Sequence, residues 1–317
     1  MDKEQFDSLD FGPQYASDDP FTRRMRFHQS WYRVNELKVP YGTGPKPKNT
    51  TFYGNMLTRA DGDRGLNFLT PHIHEIADRR LAIKQGTIDP FRLLCNMLSS
   101  QPMCFNLFAP LVDDVELAAR LMRVLLPDEI GLVNKVQLEY APEPAKNYLN
   151  DRTAFDAFVS YTRSDGLPGF VGIETKLIEP FSQKVYSSPL YNHWSDHPQS
   201  PWLAEDRPRL QSKEVNQLWR DHLLAVAMRL APGSDYASGW FMLVYHPMDL
   251  KCVTALKEYK TLLKTDDRSF IDVPLDKLLE LWKTVMITDA EKQWLADFSL
   301  RYLNLEASKV EFDAYHR

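Results

Sequence analysis

Cysteine is scarce in this chain, and the few cysteines are far apart. Among 317 residues there are three, Cys95, Cys104 and Cys252, and no two of them form a C-x-x-C pair. This spacing excludes a disulfide framework and gives no indication of a structural zinc site. We therefore expect free, buried thiols in a reducing compartment.

Long apolar runs are also lacking. The run Leu223 to Met228 is among the longest, and it is far shorter than the roughly 20 residues that a membrane-spanning helix needs. Residues 1–4 (MDKE) are charged, whereas a signal peptide would soon become apolar. These features predict a cytoplasmic protein without a membrane partner.

Several nucleotide-binding and hydrolase motifs are missing. The sequence has no G-x-x-x-x-G-K-[ST], no G-x-G-x-x-G and no G-x-S-x-G, so ATPases, dinucleotide-binding proteins and serine hydrolases have no motif to support them. Residues 74–78 (HEIAD) resemble the H-E-x-x-H motif of zinc metalloproteases but lack its second histidine. The sequence therefore does not indicate that class either.

A positive net charge is lacking as well. The 38 Lys and Arg residues are outnumbered by 43 Asp and Glu residues, which gives a net charge of −5. Proteins that bind polyanions through non-specific phosphate contacts are usually basic. The net negative charge disfavours that mode of binding, but it does not exclude a local basic cleft. The hydrophobic content of 44% is typical of a globular protein and excludes wholesale disorder.

Three regions differ in composition and in predicted structure. Residues 1–64 are polar and rich in glycine and proline, which favours an extended N-terminal arm with at most one short helix. Residues 65–250 are predicted to form a core with preceding helices, and residues 251–317 a C-terminal helical cover, all in one compact unit. Within the arm, residues 21–28 (FTRRMRFH) interleave arginine with aromatics. This pattern suits either contact with nucleic acid or a peripheral wrap over the main body.

The middle of the chain shows alternating strand and helix signals. Val136, Leu138 and Tyr140 alternate with polar residues, as in a half-buried strand. The predicted elements in order are a helix, three strands, a helix and a strand, at residues 113–126, 134–141, 153–162, 170–178, 213–231 and 239–246. We therefore expect an α/β (α+β) fold, a mixed sheet flanked by helices, with extra N-terminal and C-terminal helices.

Charged residues inside two of the predicted strands are the strongest functional signal. Glu174 and Lys176 project from the same face of one strand, because side chains alternate. Asp156 interrupts an apolar run in the preceding strand. If the two strands pair as a hairpin, Asp156 and Glu174 approach each other, and two close carboxylates usually require a divalent cation.

These residues resemble a known family. Asp156 with the segment 172–176 (GIETK), followed by a helix and a strand, is similar to the PD-(D/E)XK nuclease superfamily, whose restriction-endonuclease-like core has the predicted element order. Segments that resemble a bacterial branch of this superfamily are residues 94–101 (LCNMLSSQ), 104–108 (CFNLF) and 153–158 (TAFDAF). The proline that gives the motif its name is absent, since Phe155 precedes Asp156. Members of the superfamily often lack it.

The resemblance implies a Mg²⁺-dependent nuclease, with Mn²⁺ as a substitute, that acts on DNA. Asp156 and Glu174 would bind the metal, the backbone carbonyl of Thr175 would lie near it, and Lys176 would be the active-site lysine. Glu139 on the first strand is an expected additional ligand. Residues expected to line the cleft or bind substrate are Glu179, Gln183, Arg220, Arg209 and Lys213. The sequence does not give the oligomeric state, but a homodimer is one possibility, because duplex cutters of this fold often need two active sites.

Other interpretations stay open at this point. Glu174 and Lys176 can form a solvated ion pair of little energetic value, and Asp156 can be a strand-end turn residue. The chain can also be a catalytically inactive module that binds nucleic acid or assembles with a partner. A third alternative is a metal-dependent phosphodiesterase that acts on sugars or nucleotides instead of polymers.

Overall fold

The structure is a computed structural model that describes residues 10–45, 48, 50–84 and 88–316. Among these residues, no helix has both the length and the apolar composition needed to cross a bilayer. The α-helices are α1 Pro20–Tyr32, α2 Arg59–Asp63, α3 Pro71–Ala82, α4 Pro90–Cys95, α5 Ser100–Phe108, α6 Val115–Arg123, α7 Pro189–Ser195, α8 Arg207–Leu210, α9 Asn216–Leu230, α10 Leu250–Lys260, α11 Leu275–Lys283, α12 Asp289–Tyr302 and α13 Lys309–Tyr315.

The strands form a two-stranded and a five-stranded sheet. They are β1 Tyr41–Thr43, β2 Phe52–Leu57, β3 Leu132–Tyr140, β4 Phe155–Thr162, β5 Pro168–Lys176, β6 Ser238–Tyr245 and β7 Phe270–Pro274. The larger sheet has the order β3-β4-β5-β6-β7. Its first three strands are antiparallel neighbours, whereas β6 and β7 run parallel to β5. The predicted α/β architecture, a mixed sheet flanked by helices, is confirmed, and so is the order of its core elements.

Strand β7 lies in the region where we expected a mainly helical cover. It pairs in parallel with β6, from Phe241 opposite Phe270 to Tyr245 opposite Pro274. Five residues that include Asp272 and end at a proline carry only a weak strand pattern. The open edge of β6 provides the hydrogen bonds that make this segment a strand, and such pairing is not visible in the local sequence.

The described residues group into two compact units, and the expected domain bounds at 64 and 250 stay a prediction. One, called here the terminal unit, comprises the described residues of Met1–Lys84, Ile88–Pro110 and Met286–Arg317. The other, called here the sheet unit, comprises Leu111–Val285. The terminal unit joins the two ends of the chain, because side chains of α1 bond to α12. For example, Gln29 Nε2 donates to the carbonyl of Arg301 at 2.7 Å.

Residues 20–32 form a helix where we expected a mostly extended arm. Asp19 caps α1 by accepting a hydrogen bond from the amide of Thr22 at 2.9 Å, and Pro20 occupies the first turn, where its missing N–H costs nothing. Arg24, in the basic stretch, lies 4.7 Å from the ring centroid of Phe312 and donates to Ser308 Oγ. Arg26 pairs with Asp18. These arginines therefore pack within their own unit.

The β4–β5 hairpin positions the predicted motif. Its ladder runs from Thr162 opposite Pro168 to Ala157 opposite Ile173. Gly172 allows the ring of Phe155 to lie against the strand, since a Cβ at Gly172 would come within 2.4 Å of that ring. Phe155 thus has a packing role at the position where the family motif has its proline.

Helix α9 closes one face of the sheet unit. Residues of α9 and β6 belong to one hydrophobic cluster that includes Leu218, Trp219 and Phe241, all fully buried. Burial of side chains of this size contributes about 1.5–3 kcal/mol each. Because α9 is held against the sheet by this core, its polar residues near Glu174 are held in place as well.

Candidate active site

Three acidic residues lie at one level on the adjacent strands β3, β4 and β5. Ala157 on β4 pairs with Leu138 on β3 and with Ile173 on β5. The next positions of this register hold Glu139, Asp156 and Glu174. Side chains at opposed positions of an antiparallel pair point to the same face. The predicted approach of Asp156 and Glu174 is therefore what the hairpin register produces.

Asp156 is connected to β5 by two hydrogen bonds. The amide of Thr175 and its hydroxyl both donate to Oδ2 of Asp156, at 2.8 Å and 2.7 Å. Thr175 itself is fully buried. The second oxygen of Asp156, Oδ1, accepts no hydrogen bond within the described part of the chain and is available to another ligand.

Negative charge is concentrated around Asp156. Burial raises the pKa of Asp156 well above its usual range, and the charges of Glu174 and Glu139 raise it further. The hydrogen bonds from Thr175 lower the pKa but are outweighed. A bound cation relieves this kind of electrostatic cost, because it compensates the carboxylates where water cannot.

Lys176 lies next to the acidic residues of β4 and β5. Its Nζ is 3.0 Å from Oε1 of Glu174, both side chains are about nine-tenths buried, and Nζ is 5.1 Å from the ring centroid of Phe181. Burial by itself lowers the pKa of Lys176, but the charge and the hydrogen bond of Glu174 outweigh it and raise the pKa overall. Lys176 is therefore charged at neutral pH and provides a fixed positive charge.

Helix α9 contributes two residues that sequence reasoning missed. Gln217 Nε2 donates to Oε1 of Glu174 at 2.9 Å, and Gln217 Oε1 accepts from the amide of Ser182 at 2.8 Å. Asp221 is buried one turn later, and burial together with the charge of Glu174 raises its pKa to about 7. The sequence pattern that could have identified them is their i, i+4 spacing, which places both beside the apolar face of the predicted helix.

Glu139 has an unusual backbone conformation. Its φ is +52°, in the left-handed region that residues other than glycine seldom occupy, and it is 8% exposed. Such conformations cost free energy and often occur at functional sites. Its charge raises the pKa of Asp156, so the two residues are electrostatically coupled. Its assignment as a metal ligand stays a prediction.

A cavity of about 790 Å³ lies beside the segment that follows β5. Glu179 and Gln183, which we expected to line the cleft, both line this cavity, together with Phe181. Its charged lining consists of Glu179, Glu214, Glu258 and Lys251, and its apolar lining includes Pro180, Phe181, Leu250, Cys252 and Ala255. The lining is thus acidic and largely apolar.

Two of the three basic residues expected to bind phosphate have other contacts. Arg209 pairs with Glu258 at 2.6 Å and is 47% exposed. Arg220 is 15% exposed, and its guanidinium lies 4.5 Å from the ring centroid of Tyr186. Lys213 is exposed between two residues that line the cavity, Ser212 and Glu214. Of the three expected phosphate contacts, Lys213 and Arg209 are exposed, whereas Arg220 is mostly buried.

The donor set suits a hard divalent cation. Within the described residues, no group of three or more His, Cys, Asp or Glu side chains is arranged to hold a metal ion. Asp156 and Glu174 nevertheless supply two carboxylates, and Mg²⁺ is commonly bound through one or two carboxylates while it keeps several waters. The free Oδ1 of Asp156 and the excess of negative charge around it fit such a cation.

Known protein families provide an independent comparison. No curated protein and no solved structure shows a significant match to the chain. The family model described as the PD-(D/E)XK nuclease superfamily matches residues 16–304, nearly the whole chain. The sheet topology and the placement of Asp156, Glu174 and Lys176 are consistent with that match. The chain therefore belongs to the PD-(D/E)XK nuclease superfamily.

Proposed function

We propose that this protein is a nuclease that hydrolyses phosphodiester bonds of DNA with Mg²⁺ or Mn²⁺ as its cofactor. The observation that carries the proposal is the position of Asp156 and Glu174 on adjacent strands, with Nζ of Lys176 3.0 Å from Glu174. Membership of the superfamily supports the reaction class. The buried negative charge around Asp156 supports the need for a cation.

In this proposal, Asp156 and Glu174 hold the metal ion through carboxylate oxygens, and the carbonyl of Thr175 and Glu139 are further ligands. A divalent ion bound there supplies Lewis-acid activation of the phosphodiester and of the attacking water. The hydrogen bonds from Thr175 fix the orientation of the Asp156 carboxylate.

Lys176 and Gln217 complete the proposed machinery. Lys176 remains protonated beside Glu174, so it places a positive charge where the phosphate oxygens become more negative in the transition state. Gln217 donates to Glu174 and thereby holds this carboxylate in one orientation. A charged lysine is unsuited to remove a proton from water, so its proposed role is electrostatic.

The cavity lined by Glu179 and Gln183 is the proposed entrance for the substrate. Lys213, Arg209 and Arg220 are the proposed contacts to the DNA backbone, and Arg209 would have to exchange Glu258 for phosphate. We further propose that cleavage of duplex DNA involves two copies of the chain. Sedimentation velocity with and without a DNA duplex tests this, and a monomer under both conditions contradicts it.

Plasmid cleavage tests the proposed activity. Supercoiled plasmid is incubated with the protein and Mg²⁺ or Mn²⁺, and with a chelator as a parallel sample. We expect cleavage only with metal, and we expect Lys176→Ala and Glu174→Ala to lower the rate by about 10²–10⁴-fold. Equal cleavage by the wild type and both variants would show that this site does not catalyse the reaction.

The chain offers a matched control for these substitutions. Lys277 and Glu280 form an ion pair at 2.7 Å, and both are about 60% exposed on α11. Lys277→Ala and Glu280→Ala remove the same chemical groups from a surface position. We expect both controls to cleave at the wild-type rate.

A catalytically inactive binding module is the second candidate. The net charge of −5 favours it, as does the lack of a three-residue metal group within the described residues. Titration calorimetry with Mg²⁺ separates the two. Binding that is lost in Asp156→Asn supports the nuclease, whereas no binding at millimolar Mg²⁺ supports the inactive module.

The acidic cavity lining favours a third candidate, a phosphodiesterase for small molecules. Assays with bis(4-nitrophenyl) phosphate and with a cyclic dinucleotide distinguish it from a polymer nuclease. Hydrolysis of these compounds without cleavage of DNA or RNA would support this third candidate.

A further inference from the structure

The segment that joins β5 to α7, residues 179–188, is irregular and is called here the strap. It follows closely after Lys176, the last residue of β5. Residues 183–187 (QKVYS) are all exposed, and Val185 and Tyr186 are 53% and 40% exposed. Single exposed apolar side chains are common and do not by themselves identify a site. The way in which the strap is held is more informative.

Two side chains of α9 hold the strap by its backbone. Asn216 Oδ1 accepts a hydrogen bond from the amide of Tyr186 at 3.0 Å, and Asn216 Nδ2 donates to the carbonyl of Tyr186 at 3.2 Å. Asn216 is fully buried. Gln217 Oε1 accepts from the amide of Ser182 at 2.8 Å. The backbone of Tyr186 is therefore fixed, although its side chain is exposed.

The same turn of α9 also holds a residue of the proposed catalytic site. Gln217 Nε2 donates to Glu174 Oε1 at 2.9 Å. Asn216 and Gln217 are consecutive, so their Cα atoms are about 3.8 Å apart. The anchor of Tyr186 and the anchor of Glu174 are thus adjacent, which places this part of the strap beside the proposed catalytic site.

Arg220, one turn along α9, stacks on Tyr186. The centre of its guanidinium lies 4.5 Å from the ring centroid. Since Arg220 covers one face of the ring, the exposed part of Tyr186 is the other face and the ring edge. A nucleic-acid base can stack on such a face. Stacking uses the plane of the guanidinium, so its N–H groups, which point outward in that plane, stay available to an acceptor.

The guanidinium of Arg220 donates no hydrogen bond within the described part of the chain. Asp221 Oδ1 is 3.8 Å from Nε, which is too long for a hydrogen bond. Nε is inaccessible to solvent, whereas Nη1 and Nη2 are accessible. Because the side chain is only 15% exposed, and groups this buried are normally paired, the accessible Nη groups point to an acceptor that comes from a ligand.

A similar pair in the terminal unit shows what is unusual here. Arg26 lies 5.8 Å from the ring centroid of Tyr15, which is 48% exposed, and Arg26 is itself 15% exposed. However, Arg26 donates to both oxygens of Asp18 and to Asn55 Oδ1. Stacking and burial are therefore alike in the two pairs, and only Arg220 keeps its donors unused.

Neighbouring carboxylates balance the charge of Arg220 without accepting its hydrogen bonds. Burial lowers the pKa of Arg220, but the charge of Asp221 and further charges such as that of Asp151 outweigh it and raise the pKa overall. The oxygens of Asp151 accept instead from the hydroxyl of Tyr191 and the amide of Thr153. Arg220 is thus held in its charged form while its directional donors remain available.

We propose that Tyr186 and Arg220 form a subsite for one unpaired nucleotide of a DNA strand. The base stacks on the open face of Tyr186, and a phosphate oxygen accepts hydrogen bonds from the Nη groups of Arg220. Neighbouring bases cover both faces of a base in a duplex, so only an unpaired or flipped base reaches the ring. The inference rests on the proposed nuclease function and names its substrate class, DNA that is unpaired beside the cleaved bond.

Fluorescence anisotropy with the full chain and a chelator tests the subsite without cleavage. The probes are a labelled single strand of about ten nucleotides, a strand of the same length that carries no bases, and a blunt duplex. We expect Tyr186→Leu to weaken binding of the intact single strand about tenfold. Binding of the other two probes should not change. Tyr186→Phe keeps the ring and should bind all three probes as the wild type does.

Arg220→Lys tests the phosphate contact. Lysine keeps the positive charge but loses the planar set of donors. We expect it to weaken binding of the intact strand and of the strand without bases by the same factor, about tenfold. If Arg220→Lys does not fold, as judged by thermal unfolding, Tyr186→Leu with the three probes still decides the stacking contact.

Tyr15→Leu is the matched control. It removes an exposed tyrosine that stacks on an arginine whose donors are already used. We expect no change in the binding of any probe. A structural effect of Tyr186→Leu would weaken the intact strand and the strand without bases alike, so the comparison of these two probes separates stacking from misfolding.

Four results would overturn the subsite. They are no binding of the single strand, equal weakening of both strands by Tyr186→Leu, weakening by Tyr186→Phe as large as that by Tyr186→Leu, and an equal effect of Tyr15→Leu. The readout is binding without metal, so it does not depend on catalysis. Binding that follows these expectations without any plasmid cleavage would leave the subsite intact and reject the nuclease, whereas cleavage without them would reject only the subsite.

Discussion

The terminal unit and the sheet unit both bury charged side chains, but they compensate them in different ways. In the terminal unit, Arg33 and Arg301 are fully buried. Arg33 Nε donates to the carbonyl of Gly54 at 2.7 Å, and Arg301 Nη1 donates to the carbonyl of Asn67 at 2.8 Å. Burial lowers the pKa of Arg33 to about 10, so it stays charged at neutral pH. Neutral acceptors thus satisfy the donors of these cations.

In the sheet unit, carboxylates lie close enough to repel one another. The charges of Arg220 and Lys176 lower the pKa of Asp221, but burial and the charge of Glu174 outweigh them. Burial and mutual repulsion raise the pKa of Asp156 and of Asp221. The comparison teaches that burial of a charge alone does not indicate function. Repulsion between neighbouring buried carboxylates does, because it adds to the cost of burial and a bound cation relieves it.

The largest effect on stability is expected from removal of a buried arginine in the terminal unit. Arg301→Met removes the donors that Arg301 gives to the buried side-chain oxygens Asn67 Oδ1 and Gln29 Oε1. We expect a loss of about 3–5 kcal/mol of unfolding free energy. Urea denaturation measures it. Arg209→Met is the control and should cost far less than Arg301→Met, since Arg209 is exposed. Equal losses in both variants would contradict the structural role of Arg301.

Acid should destabilise the terminal unit more steeply than the sheet unit. Burial lowers the pKa of His28 to about 4. Below about pH 6.5 His28 binds a proton in the unfolded chain, whereas in the folded chain it stays neutral down to about pH 4. The free energy of unfolding therefore falls by about 1.4 kcal/mol per pH unit between these two values. In the sheet unit, the lowered pKa of His222 also reduces stability as the pH falls. The pKa of Asp221, raised to about 7, has the opposite effect, because below pH 7 the folded chain binds a proton there before the unfolded chain does.

Hydrogen exchange between pH 7 and 5 tests this difference. We expect amides of α1 to lose protection faster with falling pH than amides of α9. In His28→Gln, which cannot titrate, the steeper dependence of α1 should disappear. Identical pH dependence of α1 and α9 in the wild type would remove the contrast between the units.

Neutralising an acid of the sheet unit should stabilise the protein while it abolishes cleavage. Asp156→Asn removes a charge that Glu174 and Glu139 repel, yet its amide oxygen can still accept the hydrogen bonds of Thr175. We expect a higher midpoint temperature of unfolding without metal, because the repulsion is removed. Thermal unfolding in a chelator measures it.

The matched control lies in the terminal unit. Asp61 is also buried, but it accepts hydrogen bonds from Thr58 Oγ1 at 2.6 Å and from Arg64 Nη1 at 3.1 Å. Asp61→Asn should therefore destabilise. A loss of stability in both variants would mean that the charges around Asp156 are compensated after all.

The smallest effect is expected for the surface pair of Lys277 and Glu280. Double substitution of this exposed pair should leave the unfolding free energy almost unchanged. Urea denaturation again gives the value. This pair defines the baseline against which the buried charges of both units are judged.

Parts of the site were predictable because they depend on local patterns. The alternation at Val136, Leu138 and Tyr140 predicted β3, and charged residues within apolar strands marked Asp156 and Glu174. Gln217 and Asp221 were not predicted, because a polar residue on an amphipathic helix is normally solvated. Only the docking of α9 on the sheet makes Gln217 a hydrogen-bond donor to Glu174.

The interpretation of the basic segments also depended on partners that are distant in the chain. In the sequence alone, the arginines of residues 21–28 are compatible with nucleic-acid contact. In the structure, Ser308 and Phe312 lie beside Arg24. Arg209 meets Glu258, some fifty residues away. No local pattern shows such pairs, because they form only when the chain has folded.

Sequence alone determined the family and the order of the core elements, since both depend on residue type and spacing along the chain. Tertiary structure decided which buried charges have partners and how segments far apart in the chain combine into one unit. The physical reason is that electrostatic compensation and burial depend on distances in space. Those distances are set by packing between segments that are far apart in sequence.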